Sequence, residues 1–334
     1  MKIGVLGAGS WGIALARLLA NKMKDVTVWS ALPSEIEMLR TKHEHVDKLK
    51  GVMLPESITY TTKIEEAVTG ADIIVMAVPS KFIRSTANSI APYYQKRQII
   101  VNVSKGIEEE SLLTMSQVIE KEIPGAKVAV LSGPSHAEEV GRDIPTTIVA
   151  AAEERDVAET IQLLFMSDTF RVYTSSDVLG VEVGAALKNV VALAAGMADG
   201  LGYGDNTKAA LITRGMAEIS RLGLAMGGRV ETFYGLSGIG DLIVTCASMH
   251  SRNRRAGILI GKGVSYKEAM TEVGMVVEGV YSAKAAYKLG QKLGVEMPIV
   301  EQVNKILFEG KNAADAVSEL MLRDRKIENS GDWK

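Results

Sequence analysis

The chemistry open to this sequence begins with Lys188. It stands in Val183-Gly184-Ala185-Ala186-Leu187-Lys188-Asn189-Val190-Val191-Ala192, with small or apolar residues on every side. A buried ammonium loses hydration, so its pKa falls, and a nearby cation lowers it further. A lysine tuned in that way exchanges a proton with an alcohol or carbonyl oxygen near neutral pH. The same residue also fits a lysine that lays its stem along a helix edge and sends its charge to water. Ser237-Gly238-Ile239-Gly240-Asp241-Leu242 places one carboxylate, Asp241, in a glycine-rich apolar stretch. Ser251-Arg252-Asn253-Arg254-Arg255 then concentrates positive charge with a hydroxyl and an amide. A guanidinium forks onto phosphate oxygens, and Asn adds a donor. The segment therefore suits a phosphate group. A plain solvated basic turn is the alternative.

A different chemistry is written in Gly7-Ala8-Gly9-Ser10-Trp11-Gly12, directly after an apolar run that reads as a strand. Gly7 permits a tight turn, Gly9 lets the backbone approach a pyrophosphate, and Gly12 lets the following helix pack close to the sheet. The helix N-terminus then faces the anion. Strand, turn and helix together point to dinucleotide binding. The carboxylate expected about 20 residues further on is missing, since Ser30, Ala31 and Leu32 follow the second strand. No arginine stands there for a 2′-phosphate either, so NAD and NADP both remain open. Lys105, in Asn102-Val103-Ser104-Lys105-Gly106, follows another candidate strand, where ligands of such sheets bind. It reads equally well as a surface loop lysine. Ser135, in Leu131-Ser132-Gly133-Pro134-Ser135-His136-Ala137-Glu138, is expected to cap a helix, with Glu138 completing a capping box.

The elements that position these residues follow from periodicity. Apolar, β-branched runs at Lys2–Leu6, Val26–Trp29, Ile73–Ala77, Gln98–Val103, Val128–Leu131 and Thr147–Ala150 alternate with helix-length segments. That alternation predicts an α/β, Rossmann-type, doubly wound parallel sheet with helices on both faces. The pattern changes near Asp177. Beyond it Lys208–Leu222, Tyr266–Thr271, Val280–Leu293 and Val300–Phe308 read as helices, with no strands between them. The expected division is a dinucleotide-binding domain over 1–178 and an all-helical domain over 179–334.

Composition narrows the partners. The 334 residues carry 38 Lys+Arg against 40 Asp+Glu, a formal net charge of −2, with 47% hydrophobic residues. That balance excludes a disordered chain and argues against nucleic-acid binding. A single cysteine, Cys246, and four scattered histidines argue against a disulfide framework and against a metal site. The longest run without charge, Ile3–Ala16, is too short for a membrane span and is broken by glycines. A cytoplasmic location is expected.

Six separated motifs, taken together and in order, resemble the bacterial NAD(P)-dependent glycerol-3-phosphate dehydrogenases. They are Gly7-Ala8-Gly9-Ser10-Trp11-Gly12, Val103-Ser104-Lys105-Gly106, Leu131-Ser132-Gly133-Pro134-Ser135-His136-Ala137, Leu187-Lys188-Asn189, Gly238-Ile239-Gly240-Asp241-Leu242 and Ser251-Arg252-Asn253-Arg254. The resemblance implies a Rossmann domain, then an all-helical domain, and a homodimer. It implies interconversion of dihydroxyacetone phosphate and sn-glycerol 3-phosphate, which supplies the phospholipid backbone. It makes Lys188 the proton donor and acceptor, Arg252 with Asn253 the phosphate anchor, and 179–334 the substrate-binding and catalytic domain, with Arg254 and Arg255 expected to face solvent. By the same resemblance Lys105, Gly133, Ser135, Lys188, Asp241, Ser251, Arg252 and Asn253 meet substrate. Ser10, Trp11, Lys105, Ala137, Arg252, Val276 and Glu278 meet the cofactor. The sequence departs from many members at Ala31-Leu32, where they carry a basic residue suited to a 2′-phosphate. Another two-domain β-hydroxyacid or ketopantoate-type reductase, acting on a carboxylate substrate, is the alternative enzyme.

Overall fold

The computed structural model describes residues 1–325, 327 and 328. Eight strands form one sheet: β1 (Lys2–Leu6), β2 (Asp25–Trp29), β3 (Thr59–Thr61), β4 (Ile73–Met76), β5 (Ile99–Asn102), β6 (Lys127–Ser132), β7 (Thr146–Ala152) and β8 (Phe170–Ser175). Their order is β3-β2-β1-β4-β5-β6-β7-β8. The helices between them are α1 (Ser10–Asn21), α2 (Pro33–Lys42), α3 (Ile64–Val68), α4 (Ile83–Ile90), α5 (Met115–Glu122), α6 (Ala137–Val140) and α7 (Arg155–Phe165). Successive strand residues point to opposite faces. Ile3, Val5, Ile73, Val75 and Val101 accordingly join the core under α1, α2 and α7. Leu6, Ile74, Met76 and Ile100 join the one under α3, α4 and α5. Burial on both faces is why these strands read as continuous apolar runs.

Two strands lie outside the six expected. β3 is three residues at the sheet edge, and β8, at the opposite edge, alternates buried Phe170 and Val172 with exposed Arg171 and Tyr173. The sheet also departs from an all-parallel one, because β7 runs antiparallel to β6. A six-residue strand is about 20 Å long, whereas a four-residue helix such as α6 spans only about 6 Å, too little for a crossover.

The rest of the chain is helical: α8 (Val178–Gly200), α9 (Asp205–Ala225), α10 (Val230–Phe233), α11 (Asp241–Ala247), α12 (Arg252–Gly261), α13 (Tyr266–Val273), α14 (Glu278–Leu293), α15 (Pro298–Phe308) and α16 (Ala313–Met321). Asp177 starts α8: its carboxylate accepts from the Gly180 N–H at 2.9 Å, and from the Arg229 N–H and the Thr232 hydroxyl beyond α9. By length and mean hydropathy (1.6) α8 would pass for a membrane span, yet 89% of its apolar window is buried inside the protein. It is the axis of the helical core.

Its contact with α12 is backbone against backbone. A Cβ on Gly196 would lie 2.1 Å from the Arg254 carbonyl oxygen, and one on Gly257 would lie 2.2 Å from that of Leu193. Only glycine permits that approach. The helix bearing Lys188 and the helix bearing Arg252 are thereby set directly on one another.

Candidate active site

The glycine turn between β1 and α1 is built for an anion. Gly7 has φ +121°, and a Cβ there would meet the Ala77 backbone at 2.7 Å. A Cβ on Gly12 would meet the Gly7 carbonyl oxygen at 2.0 Å, so strand and helix are at closest approach. Gly9, by contrast, faces open space. It is the N-cap of α1 and offers no side-chain acceptor to the first-turn N–H groups. Those donors face the position a pyrophosphate takes in this fold. Beside them the indole N–H of Trp11 is buried without a partner. These residues fit a dinucleotide.

At the end of β2 the structure adds a residue that the spacing did not suggest. Glu35, one turn into α2, folds back and accepts a hydrogen bond from Ser30 Oγ at 2.6 Å. Its other oxygen pairs with Lys48 and lies 3.5 Å from His45 Nε2. Burial pushes this carboxyl up, but the nearby His45 ring, the Lys48 ammonium and the Ser30 hydrogen bond outweigh it and bring it down to about 2. A carboxylate therefore does stand behind Ser30, three residues beyond the stretch Ser30, Ala31 and Leu32.

The two lysines of the sequence reading converge on one carboxylate. Lys188 Nζ donates to Asp241 Oδ1 at 2.6 Å, and Lys105 Nζ donates to Asp241 Oδ2 at 2.6 Å. Lys105 also donates to the Gly133 carbonyl at 3.1 Å. Lys188 is 6% exposed and Asp241 1%, so neither is a surface side chain. Burial lowers Lys188, Asp241 opposes the shift and the Lys105 cation adds to it, with the result at about 8. Burial alone would raise Asp241, and the two ammoniums hold it below the usual carboxylate range. Lys188 is thus a buried amine held near 8, with Lys105 on the other oxygen of the same carboxylate.

Thr245, absent from the sequence reading, completes the cluster. Its hydroxyl accepts from Lys188 Nζ at 2.7 Å and donates to the Asp241 carbonyl at 2.6 Å. The spacing was a usable signal, because residues four apart share a helix face. His136 was also passed over. Its Nε2 is buried without a partner, and burial, then the nearby Lys188 charge, lower its pKa and favour the neutral ring.

Several expected roles change. Ser135 does not cap α6: the N-cap is His136, and Ser135 Oγ donates to the Gly133 carbonyl at 2.9 Å. Ser251 does cap its helix, accepting from the Arg254 N–H at 3.2 Å. Asn253 is largely committed to structure, with Nδ2 on Asn189 Oδ1 at 2.8 Å and Oδ1 accepting from the Gly279 N–H at 2.8 Å. One amide proton is left for a ligand. Arg254 does not face solvent. Its side chain is 13% exposed, pairs with Asp199 at 2.8 Å and donates to the Ala247 carbonyl. Arg255 is half-buried, with its Nε lacking a partner. Four successive residues span a full turn of α12 and point all round it, so they cannot all face outward once glycines press that helix onto α8.

Arg252 and Glu278 lie at the junction of the two halves. Burial lowers Arg252, and Glu278 and Glu138 are the anions that oppose the shift. Glu278, the first residue of α14, accepts from the Ser80 N–H at 3.1 Å and the Ser80 hydroxyl at 2.5 Å. Val276 lies in the short link before α14, and Ala137 opens α6. Among the described residues no group of His, Cys, Asp and Glu is arranged to hold a metal.

This geometry meets two family models for one enzyme. Residues 2–158 match the N-terminus of NAD-dependent glycerol-3-phosphate dehydrogenase, and residues 177–318 match its C-terminus. The chain belongs to the NAD-dependent glycerol-3-phosphate dehydrogenase family. A glycerol-3-phosphate dehydrogenase [NAD(P)+] of Agathobacter rectalis is 64% identical over 334 residues, covering 100% of this chain and 99% of that protein. One of Fusobacterium nucleatum is 59% identical over 330 residues, covering 98% of each. The crystal structure of glycerol-3-phosphate dehydrogenase from Coxiella burnetii superposes with a TM-score of 0.94 at 36% identity, covering 96% of this chain and 99% of that one. The motif-based resemblance holds over the whole enzyme.

Proposed function

We infer that this enzyme interconverts dihydroxyacetone phosphate and sn-glycerol 3-phosphate with NAD(H) or NADP(H), the reaction that supplies the glycerophospholipid backbone. The observation that carries the site assignment is the pair of ammoniums on Asp241, one of them titrating at about 8. When bound, the nicotinamide supplies or accepts the hydride. The protein's share is to hold the substrate carbonyl, exclude water and move one proton. Lys105 and Lys188 face the position of the carbonyl oxygen, where negative charge grows during reduction. Lys188, mostly protonated at pH 7, gives its proton to that oxygen, and in the reverse direction the neutral amine removes it. Asp241 keeps both ammoniums in place and stops Lys188 from losing its proton too early. Thr245 fixes the direction of the Lys188 amine.

Arg252 anchors the phosphate in this reading, with the remaining Asn253 amide proton, Gly133 and Ser135 lining the same pocket. Gly7, Gly9, Ser10, Trp11 and Gly12 cradle the cofactor pyrophosphate, and Ala137, Val276 and Glu278 border the cofactor nearer the junction. Residues 1–178 then serve as the cofactor-binding domain and 179–334 as the substrate-binding and catalytic domain. A homodimer in the cytoplasm completes the proposal, and light scattering of the purified enzyme checks the dimer.

The deciding experiment compares two substrates in Arg252→Ala. A charge-assisted pair in a partly dry site is worth about 2–5 kcal/mol. The kcat/KM for dihydroxyacetone phosphate is expected to fall at least about 30-fold, while that for unphosphorylated dihydroxyacetone falls much less. Equal losses on both would take Arg252 off the phosphate.

A further inference from the structure

A second buried carboxylate on α8 is used by none of the chemistry above. Glu182 is 3% exposed and lies six residues before Lys188, about 9 Å along the helix. Its Oε1 accepts from Asn102 Nδ2 at 3.1 Å and from the Ser116 N–H at 2.9 Å. Its Oε2 accepts from Ser116 Oγ at 2.5 Å. Asn102 is the last residue of β5 and is fully buried. It clamps both backbone groups of Ser104: Oδ1 accepts from the Ser104 N–H, and Nδ2 donates to the Ser104 carbonyl, each at 3.1 Å. The next residue is Lys105, whose ammonium reaches Asp241.

The contacts close into a ring. It leaves α8 at Glu182, passes through Asn102, Ser104, Lys105 and Asp241, and returns to α8 at Lys188. Both ends are fixed on one rigid helix, so the ring sets where the Lys105 ammonium lies relative to that of Lys188. We propose that Glu182 is a positioning residue which, through Asn102 and Ser104, holds Lys105 across Asp241 from Lys188. The proposal rests on the roles given above to the two lysines. A carboxylate in so dry a place is costly unless its oxygens are bonded, and here three donors meet them. Burial raises the Glu182 carboxyl, against the hydrogen bonds from Ser116 and Asn102. What the ring needs from residue 182 is therefore its acceptors rather than its charge.

A double-mutant cycle separates positioning from simple support of the fold. Glu182→Ala is expected to lower kcat for dihydroxyacetone phosphate reduction about 10- to 50-fold, and the KM for NADH less than about threefold. In a Lys105→Ala background the same change should lower kcat less than about twofold, because the residue it positions is gone. Glu182→Gln should keep at least about a third of wild-type kcat. Its amide oxygen still accepts from Asn102 and the Ser116 N–H, and its NH2 donates to Ser116 Oγ. Releasing Lys105 also removes a cation that lowers Lys188, so the alkaline limb of the reduction profile should move to higher pH in Glu182→Ala. Should Glu182→Ala not fold, Asn102→Ala breaks the ring while leaving Glu182 bonded to Ser116, and the same non-additivity is expected. Equal fold-losses in both backgrounds, or an unmoved alkaline limb, would overturn the positioning role. A Lys105→Ala enzyme with near wild-type kcat would overturn the role of Lys105 itself, and the proposal with it.

Discussion

Replacing Asp241 with asparagine removes the one charge that the two lysines share. In the native site burial lowers Lys188 to about 8 even with that carboxylate opposing it. The contact is 2.6 Å between heavy atoms. For charge centres about 4 Å apart at an effective dielectric of about 20, the pair is worth about 4 kcal/mol. At about 1.4 kcal/mol per pH unit, its loss moves Lys188 down by about three pH units, to near pH 5. The sign follows from the direction of reaction. Reduction needs the ammonium, so at pH 7.5 the competent fraction drops from about three-quarters to below about 1%. The kcat/KM for dihydroxyacetone phosphate should then fall about 200-fold at pH 7.5 and recover as the pH is lowered toward 5. Oxidation of glycerol 3-phosphate needs the neutral amine. It should rise through about pH 8 in the native enzyme and be flat above about pH 6 in the variant. The assay is NADH absorbance in both directions from pH 5 to 9.5, for both proteins. A variant whose midpoint stays at that of the native enzyme, with activity uniformly reduced, would refute the electrostatic role given to Asp241.

Lys188→Ala should lower kcat about 10²- to 10⁴-fold and leave NADH binding intact, as read by nucleotide fluorescence, since the glycine turn is elsewhere. Retention of more than about a tenth of kcat would remove Lys188 from proton transfer. NADH and NADPH should both serve, with kcat/KM values within about 100-fold, because one absent charged contact is worth about 1.5–3 kcal/mol. A preference beyond about 1000-fold would mean that Glu35 or Lys48 reaches the ribose. Gly257→Ala should cost about 1–3 kcal/mol, read as a lowered Tm, since its Cβ would meet the backbone of Leu193 and Gly196.

Much of this architecture was legible because it is written in local patterns. The glycine turn has a spacing set by covalent geometry, and doubly buried strands are apolar along nearly their whole length, so β1, β4 and β5 stand out. β8 has a half-exposed face, so its apolar content is diluted, and β3 is too short to show a period. Lys188 was legible for the opposite reason, as a charge amid residues that cannot pair with it. Its partners were harder to find, since Asp241 and Lys105 lie 53 and 136 residues apart from their counterparts in the ion pairs. The packing of α11 against α8 brings Asp241 to Lys188, and the loop after β5 brings Lys105 to the same carboxylate. Arg254 and Arg255 show the limit of reading a basic run as surface. Asp199, far along the chain from α12, takes Arg254 inward. Glu35 shows that a side chain can return to a strand end from the next helix.

The glycine seam between α8 and α12 has a mechanical consequence. Helices in backbone contact cannot slide or separate without losing that fit, so Lys188 and Arg252 form one stiff jaw. Lys105, Gly133 and Ser80 belong to the other jaw, on the sheet. Any movement of the sheet away from α8 and α12 would part Lys105 from Asp241, Ser80 from Glu278 and Asn102 from Glu182, while Lys188 and Arg252 keep their mutual spacing. The apolar, close-packed seam thus lies within the helical half, while Lys105–Asp241 and Ser80–Glu278 are charged or polar contacts whose partners water can also satisfy.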